Sequence, residues 1–171
     1  MKTKLKIILF LVFSIAISMV PVNAADVEGR PQSPHAFDGA EIVEAYNVNP
    51  KSRSRDVFLG SYTILKYLND GYMKFTNESF GKSDFPEEGV FRFETHLTTD
   101  GKDGNIKVGI AFTDWLGIDT YLTSIKMGLS DNKLFTCTKN PSDKTKYYGC
   151  ISNSTGGKMY GSFSIYAVHA E

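Results

Sequence analysis

Apolar and polar side chains alternate residue by residue along most of this chain, in short runs bounded by turn sequences. In residues 90–98, one side carries Phe91, Phe93, Thr95 and Leu97, and the other carries Arg92, Glu94, His96 and Thr98. A period of two is that of a β-strand with one buried face. Turn signals recur about every 8 to 12 residues, without long helical patterns between the runs. The sequence therefore predicts an all-β fold, an antiparallel β-sandwich or closed β-barrel of about eight strands in a mostly antiparallel meander.

Turn sequences between the runs suggest where the strands connect. Asn69-Asp70-Gly71 separates two strand-like runs and predicts a short β-hairpin, because Asp and Gly tolerate positive φ. The glycine-rich residues 100–105 predict a second hairpin turn, since they lack the acids of a calcium loop. Residues 38–48 fit either a helix with a capping box at its start or a first strand.

The N-terminus has the three parts of a secretory signal peptide. Three Lys residues lie among the first six, residues 7–20 form an apolar run, and the small-residue sequence Val22-Asn23-Ala24 follows. This pattern predicts cleavage after Ala24 and a secreted or periplasmic product. A retained membrane anchor is the alternative, although the run is short for a bilayer. We expect residues 25–37 to form an extended lead-in and residues 38–171 a single all-β domain.

The charge balance argues against a nucleic-acid partner. The chain has 19 Lys and Arg against 19 Asp and Glu. Removing the leader takes away three Lys, which leaves 19 − 3 = 16 basic residues and a net charge of −3. Binding to phosphate needs concentrated positive charge, which this composition lacks. Membrane contact through the basic clusters at 51–55 and 139–146 is a weaker expectation, and the oligomeric state stays open.

The chain has two cysteines, Cys137 and Cys150, and export would expose both to an oxidising compartment. This context predicts one structural disulfide. If residues 134–138 and 147–152 paired as a hairpin, the two cysteines would lie opposite each other on neighbouring strands. Their spacing is not that of a redox dithiol, and the chain has only three His residues. We therefore predict neither a metal site nor a cofactor.

One segment suits ligand contact better than the rest. Asp114 and Asp119 flank Trp115, the one Trp of the chain. A ring for stacking beside carboxylate acceptors is what recognition of sugar hydroxyls requires. The simpler interpretation is that Trp115 packs under a loop and both acids lie in turns.

Tyrosines form the other candidate surface, at the Tyr147-Tyr148 loop edge and at Tyr160 and Tyr166 on the last strand. Tyr suits half-buried positions and is enriched in interfaces. No sequence motif of a nucleophilic or metal-dependent enzyme is present, and no catalytic residue is predicted.

Together these patterns predict an exported non-enzymatic binding protein, of an adhesin-, inhibitor- or immunity-like kind. It would engage a protein or glycan partner through an aromatic-rich sheet face or loop edge. The predicted ligand contacts are Trp115, Asp114, Asp119, Tyr147 and Tyr148. The alternatives are a small membrane-active β-sandwich toxin and a carboxylate-based secreted hydrolase.

Overall fold

The computed structural model describes residues 28–32, 37, 40–47, 54–113, 119–143 and 145–170. Its strands are β1 (Arg30–Pro31), β2 (Glu41–Ile42), β3 (Tyr46–Asn47), β4 (Ser54–Leu68), β5 (Tyr72–Phe75), β6 (Val90–Thr99), β7 (Asn105–Thr113), β8 (Asp119–Gly128), β9 (Ser130–Thr136), β10 (Tyr148–Ser152) and β11 (Met159–Ala170). A 3-10 turn, Lys82–Asp84, lies between β5 and β6. No α-helix occurs in the described residues, and the predicted signal peptide lies outside them.

The strands form two sheets that pack face to face. One sheet has six strands in the order β1-β5-β10-β7-β8-β2, and the other has five in the order β3-β9-β6-β11-β4. Strand β2 pairs in parallel with β8, whereas the other pairs in the described sheets are antiparallel. Neither sheet closes on itself. The all-β sandwich prediction is therefore confirmed, and the closed-barrel alternative is wrong.

The core lies between the sheets and consists largely of residues that the alternation placed inside. Phe91, Phe93 and Leu97 of β6 are buried, and they face Ile106, Val108 and Ile110 of β7 in the other sheet. The Phe135 ring of β9 lies 5.7 Å, centroid to centroid, from both Phe91 and Phe93. Burial of one such side chain contributes about 1.5–3 kcal/mol. Aromatic packing across β6 and β9 thus makes the five-stranded sheet a rigid support for its outer face.

The turn at residues 69–71 does not form the predicted hairpin. Gly71 has φ of 74°, and the Tyr72 amide donates to the Asn69 carbonyl, so the turn itself is present. However, β4 belongs to the five-stranded sheet, whereas β5 pairs with β1 and β10 in the six-stranded sheet. The turn therefore carries the chain from one sheet to the other. Strands β4 and β5 pack against the core from opposite sides.

The predicted disulfide is wrong, because its cysteines point into different apolar clusters: Cys137 into the core between the sheets, and Cys150 into the cluster on the outer face of the six-stranded sheet. Cys137 directly follows β9 in the five-stranded sheet, while Cys150 lies within β10 of the six-stranded sheet. Strand β10 pairs with β5 and β7 rather than with β9, so the hairpin that would align the cysteines does not exist. The Cys150 Sγ donates to the Gly109 carbonyl at 3.3 Å, and both buried cysteines are thiols.

The N-terminal segment reaches both edges of the six-stranded sheet. Strand β1 pairs with β5 at one edge, and β2 pairs with β8 at the other. Between them in the chain, Phe37 packs on the outer face of the sheet, with its ring centroid 4.4 Å from that of Tyr121. Residues 41–47 form β2 and β3, so the strand alternative for this stretch is the correct one.

Candidate binding face

Phe37 covers part of the outer face of the six-stranded sheet. Phe37 packs there with Met73, Ala111, Tyr121 and Cys150 in a second buried cluster, separate from the core between the sheets. A Cβ added to Gly109 would lie 3.3 Å from the Phe37 ring, so the absence of a side chain admits that ring. This face therefore has its apolar partner within the same chain.

The outer face of the five-stranded sheet keeps most of the exposed apolar side chains. Among the described residues, the large hydrophobic side chains that remain exposed are Ile42, Tyr46, Val57, Phe58, Leu65 and Tyr160. All except Ile42 lie on β3, β4 or β11 of this sheet, although Val57 pairs with the buried Ala167 and so lies on the core side. Phe58 is 51% exposed and Tyr46 is 44% exposed. Such clustering is typical of an interaction surface, whereas single exposed apolar residues are common on any protein.

An aromatic row crosses all five strands of this sheet. The strand pairing places Phe58, Tyr166, Arg92, Leu134 and Tyr46 side by side, one from each strand from β4 to β3. Directly paired residues share a face of the sheet, so these five side chains form one continuous row. The Phe58 and Tyr166 rings meet edge to face, with centroids 5.7 Å apart.

Arg92 is the centre of the aromatic row and joins four strands. Its guanidinium carbon lies 4.0 Å from the Tyr166 ring centroid. Its Nε lies 2.8 Å from Asp56 Oδ2 on β4, and its Nη1 lies 3.2 Å from Glu94 Oε2. The same Nη1 donates to Asn132 Oδ1 on β9 at 3.3 Å. A planar guanidinium suits these contacts because it stacks on a ring while its edge donates in several directions.

Beside the row lies a polar cleft with a volume of about 490 Å³. Its lining residues are Asn47, Glu94, Thr95, His96, Ser130, Asp131 and Asn132. In the described residues β3 pairs with β9 at Lys133 and Leu134, and the cleft lies beside the start of β9, beyond that pairing. We call this feature the β3–β9 cleft.

Each carboxylate of the β3–β9 cleft lies beside a cationic side chain. Glu94 Oε2 contacts Arg92, and its Oε1 lies 3.1 Å from His96 Nε2. Asp131 Oδ1 lies 3.6 Å from the Lys133 ammonium group, which also donates to Asn47 Oδ1 at 2.6 Å. The cleft is therefore rich in hydrogen-bonding groups, and each of its carboxylates has a basic side chain beside it.

A smaller cleft of about 190 Å³ lies between residues 85–89 and 136–141. Cys137 lies in its lining and is 5% exposed, and its Sγ lies 3.8 Å from the Lys139 carbonyl oxygen. Burial raises the pKa of this thiol, which disfavours the reactive thiolate. The nearby carbonyl contact acts in the opposite direction but is the weaker cause.

The predicted contact residues lie away from this face or outside the described residues. Asp114 and Trp115 are not among the described residues, and Asp119 begins β8 without a described side chain. Tyr147 is 2% exposed and packs within the core against Phe85 and Phe112. Tyr148 is half-buried on the six-stranded sheet, where its ring meets Phe75 edge to face. Their role in ligand binding stays a prediction.

Sequence reasoning singled out Tyr160 and Tyr166 but missed Phe58, Asn132 and the bridging role of Arg92. The polar side of residues 90–98 was a usable signal, since Arg92, Glu94 and His96 share one face of a strand. Their partners on β4 and β9 are distant in sequence, so only the strand register brings them together.

Comparison with known proteins gives no family. Neither the protein-family models nor the curated proteins include a match to this chain. Within the described residues, no group of three or more His, Cys, Asp or Glu side chains could hold a metal ion. In that same part of the chain, no helix is long and apolar enough to span a membrane.

Proposed function

We propose that this chain is an exported, non-enzymatic binding protein that uses the outer face of its five-stranded sheet. The partner would be a protein or a glycan. The observation that carries the proposal is the difference between the two outer faces. One is partly covered by Phe37 and its neighbours, whereas the other exposes the aromatic row and the β3–β9 cleft.

The chemistry of the exposed face supports this role. Aromatic and Arg side chains are enriched at the centres of binding interfaces, where they supply large contact area at a small entropic cost. The contacts of Arg92 hold Tyr166, Glu94 and Asn132 in place before any partner arrives. A preorganised surface loses less conformational entropy on binding, which raises its affinity for a given contact area.

Two aromatic variants on the face test the proposal. Phe58→Ala and Tyr160→Ala remove exposed rings from β4 and β11, and Phe75→Ala is the matched control on β5 of the other sheet. The purified exported protein would be screened against glycan arrays and against proteins displayed on candidate target surfaces. For any partner found, affinities of the three variants would be compared by biolayer interferometry. We expect at least one face variant to weaken binding about tenfold and the control to bind normally.

The opposite pattern would overturn the proposal. Loss of binding only in Phe75→Ala would assign the site to the six-stranded sheet. Equal binding by all variants would exclude both sheet faces that they probe. Thermal unfolding of each variant shows whether a binding loss reflects misfolding, and Tyr160→Phe keeps the ring if the alanine variant is unstable.

A further inference from the structure

We infer that the β3–β9 cleft is a subsite for an uncharged, hydroxyl-rich sugar chain, with Tyr46 as its stacking ring. This inference rests on the proposed function, because it names the ligand class of the same face. It adds to the proposed function in two ways: it excludes strongly charged ligands, and it assigns recognition to particular side chains of the cleft.

The charge pattern of the cleft selects against ions. Glu94 lies against Arg92, which it shares with Asp56. An anionic ligand would meet the Glu94 carboxylate, and a cationic ligand would have to displace Arg92 from it. A carboxylate in an ion pair still accepts hydrogen bonds, because its oxygens together have about four lone-pair positions. The cleft therefore offers a strong acceptor that already has a cation beside it.

The polar groups of the cleft include both hydrogen-bond donors and acceptors, as recognition of sugar hydroxyls requires. A hydroxyl donates once and accepts twice, so a sugar is best held by donors and acceptors that alternate in space. Glu94 supplies acceptors, Ser130 supplies both functions, and the carboxamide of Asn132 donates through Nδ2. The strand register places these three residues on the same face of the sheet. Because Asn132 Oδ1 accepts from Arg92 Nη1, the amide nitrogen is directed to the other side of the planar group.

An aromatic ring adjoins the polar groups. Tyr46 pairs with Leu134 on the outer face, and Leu134 is two positions along β9 from Asn132, which lines the cleft. The Tyr46 side chain is 44% exposed. The apolar C–H side of a sugar ring stacks on such a surface. The cleft volume of about 490 Å³ falls within the usual range for ligand sites.

A glycan array followed by titration calorimetry tests this inference. The array would present neutral, sialylated, uronate-containing and sulfated oligosaccharides to the purified exported protein. We expect binding to a neutral subset, with an affinity that changes less than about twofold between low and moderate salt, because no net charge is involved. Asn132→Ala and Tyr46→Ala should each weaken it about tenfold. Asn140→Ala, at an exposed loop position, is the matched control and should bind normally.

Three results would overturn the inference: no binding to neutral glycans, binding restricted to charged glycans, or normal binding by Asn132→Ala and Tyr46→Ala. Its failure remains distinguishable from failure of the proposed function. If Phe58→Ala or Tyr160→Ala weakens binding to a protein while no glycan binds, the face is correct and only the sugar subsite is wrong. Asn132→Ser retains a small polar group if the alanine variant unfolds.

Discussion

The Arg92 guanidinium carbon lies 4.0 Å from the ring centroid of Tyr166, and this contact joins the two central features of the exposed face. Tyr166 belongs to the aromatic row, whereas Arg92 also contacts Glu94 at the β3–β9 cleft. The Arg92 side chain is only 12% exposed, although it carries a charge. Its position is stabilised because carboxylates accompany its edge and a ring covers its plane.

Replacing Arg92 tests this bridging role. We expect Arg92→Ala to lower the free energy of unfolding by about 1–3 kcal/mol, since two carboxylates lose their cation and the Tyr166 ring loses its support. The loss is smaller than for a fully buried pair, because Asp56 and Glu94 remain about a third exposed and solvent screens them. Urea unfolding followed by circular dichroism measures the change. Arg55→Ala, an exposed position on β4, should change stability by less than about 0.5 kcal/mol, and equal losses in both variants would contradict the role.

Glu28 forms hydrogen bonds to the part of β4 where its pairing with β11 is irregular, and these bonds link the N-terminal segment to that strand. The pairing of β4 with β11 slips between Ile64 and Leu68. The Glu28 carboxylate accepts hydrogen bonds there from the backbone amides of Leu65 and Lys66 and from the Tyr62 hydroxyl. The carboxylate thus supplies acceptors for groups that the neighbouring strand does not reach.

Removing this carboxylate should loosen the segment. We expect Glu28→Ala to cost about 0.5–1.5 kcal/mol, because the exposed amides of Leu65 and Lys66 then bind water instead of the carboxylate. Amide hydrogen exchange would then accelerate at Leu65 and Lys66 and much less at Phe93 in the core. Glu78→Ala offers a comparison, since Glu78 accepts from the Ser61 amide elsewhere on the same strand. If Leu65 exchanges at the wild-type rate in Glu28→Ala, the fastening role is disproved.

Tyr62 makes the same contact sensitive to alkali. Burial and, secondarily, the hydrogen bond to Glu28 raise the pKa of Tyr62 well above its ordinary value of 10.0. A group whose folded-state pKa is raised stabilises the fold fully below the unfolded pKa and loses that contribution as pH rises through the folded value. We expect the free energy of unfolding to decline above about pH 10. Tyr62→Phe should show less of this decline, measured by urea unfolding at several alkaline pH values, and an equal decline in both proteins would contradict the assignment.

The alternation pattern predicted the fold class because it reports burial, which is a local property of each strand. Phe91, Phe93 and Leu97 are buried as the pattern requires. In β8 the alternation predicts that Tyr121 faces the same side as Thr123 and Ile125, and this is wrong because a β-bulge shifts the pairing with β7. Ala111 pairs with Tyr121 while Ile110 pairs with Thr123, so Leu122 turns inward and Tyr121 faces Phe37 on the outer side. A bulge depends on the partner strand, and one strand's sequence does not reveal it.

Turn sequences showed where the chain reverses, but not which sheet the next strand joins. The turns after β4, β6 and β8 all lead into the opposite sheet, whereas β7 and β8 form a true hairpin. A hairpin turn and a connection between layers use the same local backbone conformations. The choice between them depends on which layer still has an unpaired edge, and for that reason the predicted meander and the predicted cysteine pairing were both wrong.

The two thiols should be detectable without reduction. Protein purified from an oxidising compartment is expected to give two thiols per chain with Ellman's reagent in denaturant, because Cys137 and Cys150 are buried in separate apolar clusters. In native protein at neutral pH, reaction should be slow, since burial protects both and raises the pKa of Cys137. Cys150→Ser is the control and should leave one thiol. Absence of thiols in the denatured protein would restore the disulfide that the sequence suggested.

Phe37 should stabilise the six-stranded sheet through its outer face, much as core residues do through the inner one. Its ring packs on Tyr121 and lies over the space left by Gly109. We expect Phe37→Ala to lower the free energy of unfolding by about 3 kcal/mol and to increase binding of a hydrophobic dye, because the second cluster becomes exposed. Phe58→Ala removes an equal but exposed ring and should cost less than about 1 kcal/mol. We expect the two variants to differ in stability because Phe37 is buried on the six-stranded sheet, whereas Phe58 is exposed on the five-stranded sheet. The binding proposal depends on this difference between the two outer faces, and equal losses of stability would contradict it.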